Sequence, residues 1–81
     1  MIVEVKLFAA ARQFAGCDAL QVELGESATA RDLRRALAAA CPSLEPLLAS
    51  SMVAVNHDYV NDEKQLPAGA EVALIPPVSG G

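Results

Sequence analysis

A single stretch of helical periodicity is set among runs of strict alternation, and that arrangement restricts the fold more than any other feature. Thr29 is followed by Leu33, Ala36, Leu37 and Ala40 at the i, i+3, i+4, i+7 spacing of one helix face. Thr29-x-x-Asp32 has the form of a capping box, and Cys41-Pro42 closes the segment, because the residue before proline avoids helical dihedrals. Arg31, Arg34 and Arg35 fall on the opposite, wet side. On either side of this helix the period drops to two. Residues 2–8 alternate, with Val3, Val5 and Leu7 on one face and Glu4, Lys6 and Phe8 on the other. Residues 19–24 repeat the pattern, with Leu20, Val22 and Leu24 pointing one way. Residues 52–56 and 71–75 are two more short strands, the second with Val72 and Leu74 inward.

Shorter signals join these pieces. Residues 9–15 are helix-prone, and Gly16 is a natural stop. The first two strands can therefore form an antiparallel pair through a helical turn. Residues 43–49 read as a loose turn or short helix that tucks Leu44, Leu47 and Leu48 under. His57-Asp58 reads as a turn, with Tyr59-Val60 opening a short return strand. Asn61 to Lys64 form a polar loop, and Pro67 to Gly69 form another turn. Pro76-Pro77 end the last strand, since proline cannot continue a central ladder. One amphipathic helix across one small mixed sheet is a two-layer α+β domain. The predicted core is Val5, Leu7, Val22, Leu33, Leu37, Val53, Val55, Val72 and Leu74. The domain is expected over 1–75, with an extended tail over 76–81.

Composition excludes several functions. At 81 residues there is room for one core, and 53 % apolar residues against 20 % charged ones leave apolar surface over for a partner. The net charge of −4 argues against nucleic acid, whose binders need a basic face. Residues 45–81 hold a single base, Lys64, against Glu45, Asp58, Asp62, Glu63 and Glu71, which favours a basic receptor for the C-terminal end. Cys17 and Cys41 form no CxxC motif, and His57 is the one histidine, so no metal site is expected. Cys17 reads as a spare small residue and Cys41 as a buried hydrophobe near a helix end. His57-Asp58 reads as a solvated turn rather than a dyad, and the three arginines as a wet helix face rather than an anion site. Glu4 and Lys6 interrupt what would be a signal peptide's apolar core, and no apolar run approaches the ~20 residues of a membrane span. With two unpaired thiols, this predicts a cytoplasmic chain with no membrane partner.

The chemistry sits in the last six residues, PPVSGG. Two prolines stiffen the exit from the last strand. Gly80 and Gly81 lack Cβ atoms and can thread a channel too narrow for any other residue. A carboxylate at their end is ionised at neutral pH and is a poor electrophile, so it reacts only after activation, for example by adenylation. The dipeptide alone is more often the mark of a frayed end. Its position directly after a strand, closing a chain with this element order, favours the chemical reading.

The segments IVEVKLFAAARQFAG, TARDLRRAL, VAVN and GAEVALIPPVSGG make the chain similar, over its whole length, to the small subunit of molybdopterin synthase, a ubiquitin-like sulfur carrier. The resemblance implies the β-grasp roll of ubiquitin. It also implies that Gly81 is adenylated by an ATP-using, ubiquitin-activating-like adenylyltransferase and converted by a sulfur donor system to a thiocarboxylate. Gly80 would give clearance as the tail enters the large subunit, where the sulfur passes to cyclic pyranopterin monophosphate. The carrier itself would bind no cofactor and turn nothing over alone. Strand parity places Phe8 and Ile75, with Tyr59 beside them, on the sheet face away from the helix, rimmed by Arg12 and Lys6. The resemblance implies docking on this face and along Pro76, Pro77, Val78 and Ser79. A carrier for thiamine or tRNA thiolation, a protein modifier that forms isopeptides, and a binding module with an inert tail share the same ending and stay open.

Overall fold

The computed structural model describes residues 1–77. Five strands form one mixed sheet: β1 (Ile2–Leu7), β2 (Ala19–Glu23), β3 (Met52–Val55), β4 (Asp58–Val60) and β5 (Val72–Ile75). Their spatial order is β2-β1-β5-β3-β4. β1 runs antiparallel to β2 and parallel to β5, and β3 is antiparallel to both β5 and β4. With the helix α2 (Ala30–Ala40) against one face, this is the β-grasp arrangement. A short helix α1 (Ala9–Ala15) joins β1 to β2 and ends at Gly16 in the left-handed conformation, φ 75°. A 3₁₀ turn (Pro42–Leu44) and α3 (Glu45–Leu48) lead into β3.

The capping box forms as its sequence predicts. The Asp32 N–H donates to the Thr29 hydroxyl, and Asp32 accepts the Thr29 N–H at 3.0 Å. The Thr29 N–H first, and the Thr29 hydroxyl donating to the same carboxylate oxygen at 3.2 Å, hold the Asp32 carboxyl below its ordinary pKa. Every predicted core residue is buried, with Val5, Leu33, Leu37, Val53 and Leu74 fully so. The sequence pattern did not single out Leu66, which is 2 % exposed. Its N–H donates to the Ala28 carbonyl and the Ala30 N–H donates to Lys64, lacing this loop to the start of α2.

Four local expectations are corrected. β1 stops at Leu7, and Phe8 becomes the extended residue before α1, whose first residue Ala9 sits at φ 51°, a left-handed position that costs an alanine roughly 1–2 kcal/mol. The turn between β3 and β4 is Asn56-His57, one residue earlier than predicted; both take positive φ, 50° and 74°, the pattern of a two-residue hairpin turn. The apolar stripe of α2 is narrower than its spacing suggests, since Ala36 is half-buried and Ala40 exposed. Arg34 is not on the wet side. Its Nε donates to Asp62 at 2.9 Å and its guanidinium also bonds the Leu48 carbonyl, so it ties α2 to α3 and to the loop after β4.

Candidate functional site

Along a strand, side chains alternate between faces, so the outer face of the sheet follows directly from the inner one. Val5, Leu7, Val72 and Leu74 point to the helix. Lys6, Phe8, Ala73 and Ile75 therefore point away from it. The registers set Lys6 opposite Ala73, Ala73 opposite Ala54, and Ala54 opposite Tyr59. This row alternates a large side chain at each end with two alanines between, and the result is a depression. Ala54 and Ala73 form its floor; Phe8, Tyr59 and Ile75 form its apolar walls; Lys6, His57 and Glu71 complete the lining. Phe8 is 46 % and Tyr59 62 % exposed, and Ile75 is half-buried. Met52, opposite Ile75 and 43 % exposed, extends the apolar surface.

The charged side of the depression centres on Glu71. Its carboxylate lies 3.6 Å from the Lys6 ammonium and 3.5 Å from His57 Nε2. Its backbone is held as well: the Glu71 N–H donates to Asn56 Oδ1 at 3.0 Å, and the Asn56 N–H donates to the Glu71 carbonyl at 2.8 Å. The tight turn thus locks the start of β5 in place. Ion pairs this exposed contribute little to stability, and their use lies in orientation and partner choice.

The sequence reading brought Phe8, Tyr59 and Ile75 together on one face, and the structure does the same. Arg12 does not line the depression; it stands on α1 with its Nε 3.9 Å from Asp18. Pro76 is buried and Pro77 exposed, so the chain leaves the domain at the end of the strand that carries Ile75. Val78, Ser79, Gly80 and Gly81 lie outside the described residues. The sequence reading missed Met52, Ala54, Glu71 and Ala73 and set His57 aside. Parity alone could have placed Met52, Ala54 and Ala73 on this face, but which strands adjoin was unknown.

Chemically the surface is built for contact. It offers aromatic and aliphatic walls, one ammonium, one imidazole and one carboxylate, and among the described residues no cluster of His, Cys, Asp and Glu suited to a metal. Among the described residues no helix is long and apolar enough to cross a membrane.

Known proteins share this fold. The sequence profile of the ThiS family matches residues 5–81. A molybdopterin synthase sulfur carrier subunit from Chlamydomonas reinhardtii is 40 % identical, with 100 % of both chains covered. Among solved structures, SAMP1 from Haloferax volcanii, a small archaeal modifier protein, superposes with a TM-score of 0.89 at 34 % identity over 100 % of both chains. In the complex of subunits 1 and 2 of the molybdopterin-converting factor from Helicobacter pylori, one chain matches with a TM-score of 0.70 at 26 % identity, again over 100 % of each. With nearly the whole sequence matched by one profile, the chain belongs to the ThiS family, alongside the molybdopterin synthase sulfur carrier subunits.

Proposed function

We propose that this chain is the sulfur carrier of molybdopterin synthesis, with the Gly81 carboxylate as the reacting group. One observation carries the reading: β5 ends at Ile75, on the wall of the apolar depression, and the chain continues through Pro76-Pro77 towards Val78-Ser79-Gly80-Gly81. A partner that grips the depression would thereby fix the start of the tail, and orientation of this kind is what a positioned reaction needs. Likeness to the sulfur carrier subunits over full length supports the same reading.

The chemistry follows from the carboxylate. An ATP-using, ubiquitin-activating-like adenylyltransferase transfers AMP to the Gly81 carboxylate and releases pyrophosphate. A sulfur donor system then displaces AMP and leaves a thiocarboxylate. In the large subunit of the synthase this sulfur attacks cyclic pyranopterin monophosphate to give a thioester between carrier and substrate, and water then cleaves the Gly81 acyl–sulfur bond, leaving sulfur on the substrate and the carrier as a carboxylate. Gly80 supplies clearance, and Pro76 to Ser79 line the approach. On this reading the chain binds no cofactor and has no turnover alone, and the acid and base for the step come from the large subunit. Its place of work is the cytoplasm.

Mass spectrometry of the chain isolated from its source is the test. The expected species is heavier by the exchange of one oxygen for sulfur at Gly81. A second reading, a modifier joined to lysines by an isopeptide bond, is favoured by the likeness to SAMP1. Adducts on other proteins, with no thiocarboxylate, would support that reading and overturn the first.

The docking face gives a separate prediction. Burying one large apolar side chain at an interface is worth roughly 1.5–3 kcal/mol before ordering costs. Phe8→Ala should weaken binding to the large subunit about tenfold or more, since ~1.4 kcal/mol is one decade. Because Phe8 is half exposed, the denaturation midpoint should barely move. Calorimetric titration and a urea curve on the same variant separate the two effects; severe destabilisation with unchanged affinity would place Phe8 in the core.

A further inference from the structure

The sheet has two edges, β2 and β4, and they differ in length: five residues against three. The outward groups of β2 can be read from its pairing with β1. The Leu7 N–H donates to Asp18, the Leu24 N–H to Met1, and the Met1 amino group to Leu24. Directly hydrogen-bonded pairs recur every second residue in an antiparallel ladder, so Val3 with Val22 and Val5 with Leu20 are the intervening ones. Leu20 and Val22 therefore spend their backbone groups on β1. Ala19, Gln21 and Glu23 aim theirs away from it, and among the described residues no strand pairs with them. Natural edges are usually blunted by proline, a bulge or an inward charge. β2 has an unbroken register, no proline and no charged residue on its inner face.

We infer that β2 is a self-association edge, pairing antiparallel with β2 of a second copy about a two-fold axis through Gln21. Three observations select this occupant. The first is the register. Only Ala19, Gln21 and Glu23 have free groups, and the pairs Ala19–Glu23, Gln21–Gln21 and Glu23–Ala19 use all of them; a slip by two residues leaves one end unpaired, and a slip by one opposes groups already bonded to β1.

The second observation is charge. Lys6 lies opposite Ala19 on the outer face, so the row across the dimer reads Lys6, Ala19, then Glu23 of the second copy. Strands stand about 4.8 Å apart, and only a methyl group separates these two side chains, so ammonium and carboxylate can meet above it. Symmetry makes two such pairs. The two Glu23 residues stand about 13 Å apart along the strands, beyond the screening length in physiological salt. Glu23 has no ion-pair partner among the described residues.

Shape is the third. A groove between β2 and α2 is lined by Val22, Ala36, Ala39 and Ala40, with Gln21 and Glu23 at its lip. In this register Leu20 of the second copy stands opposite Val22 on the inner face and fills the groove, while the half-buried Leu20 of the first copy gains the same cover. The apolar walls Tyr59 and Ile75 lie across β1 from the dyad, so association leaves them open, and Lys6, 3.6 Å from Glu71, is the one residue the depression and the dimer contact share.

Light scattering across a concentration series, paired with amide exchange by NMR, tests the inference. The mass should climb from one chain to two, and the Ala19, Gln21 and Glu23 amides should become protected as it does. Glu23→Lys and Lys6→Glu should each weaken association at least tenfold, and combining them should restore it. Gln21→Pro, which removes the amide on the dyad, should abolish it; if that variant does not fold, the charge series still decides. A single-chain mass at every concentration overturns the inference, as does a dimer whose three edge amides stay unprotected and whose affinity ignores Glu23→Lys.

Discussion

A chain lacking Gly81 is expected to fold normally and to accept no sulfur. On the proposed reading the carbon to be activated is the carboxyl carbon of that residue, and its reach from the domain is set by chain length. Removing one residue moves the new terminus back by up to about 3.3–3.6 Å. Misplacement of a reacting group by ~1 Å can already cost about a hundredfold in rate, so a full residue should abolish transfer. Adding one residue after Gly81 should do the same, because the activated carbon would then overshoot. The last inward residue on β5 is Leu74 and, among the described residues, the last buried one is Pro76, so both changes lie beyond the described core. The urea midpoint should stay where it was. The decisive measurements are thiocarboxylate formation by mass spectrometry with ATP, sulfur donor and activating enzyme, and molybdopterin synthesis with the large subunit. A chain without Gly81 that still loads and delivers sulfur would end the carrier reading.

The second large effect is on stability. Leu37→Ala should lower the unfolding free energy by about 2–5 kcal/mol, the range found when a buried leucine is cut back in a close-packed core. Leu37 is 0 % exposed, as is Leu33 one turn earlier, and together they form the centre of the α2 face that covers the sheet. Domains of this kind have roughly 5–15 kcal/mol in total, so the variant should be partly unfolded at modest urea concentrations. Opposite α2 lie Val5, Val53 and Leu74, all fully buried, and strands so enclosed cannot move in to close the void. A change near zero in the urea titration would show that the helix buries another face. Cutting Phe8 back is the useful contrast, since it should cost affinity and spare the fold.

Much of the site was legible in the residues because its logic is local. Alternation in IVEVKLF points Phe8 to the opposite face from Val3, Val5 and Leu7, and Phe8 keeps that side because its backbone stays extended just past the end of β1. The same holds for Ile75 against Val72 and Leu74. The end of α1 at Gly16 and the start of α2 at Thr29 depend on residues within one turn, and both formed as expected. Arg34 shows where such reasoning stops. Its helix position reads as solvent-facing, and it became half-buried because α3 and Asp62 close over it from 14 and 28 residues away.

The amino-acid sequence by itself determined the periodicities, the caps, the inward residues of the regular strands and of α2 at Leu33 and Leu37, and the Gly-Gly ending, since each is written in a few neighbouring residues. Tertiary structure alone decided that β5 lies between β1 and β3, that Ala54 and Ala73 form a floor beneath Phe8, Tyr59 and Ile75, and that Glu71 stands between Lys6 and His57. It alone decided that β2 is left at an open edge. The physical reason is that strand order and register are chosen by burying all inward faces under one helix at once, a condition on the whole chain that no single segment carries.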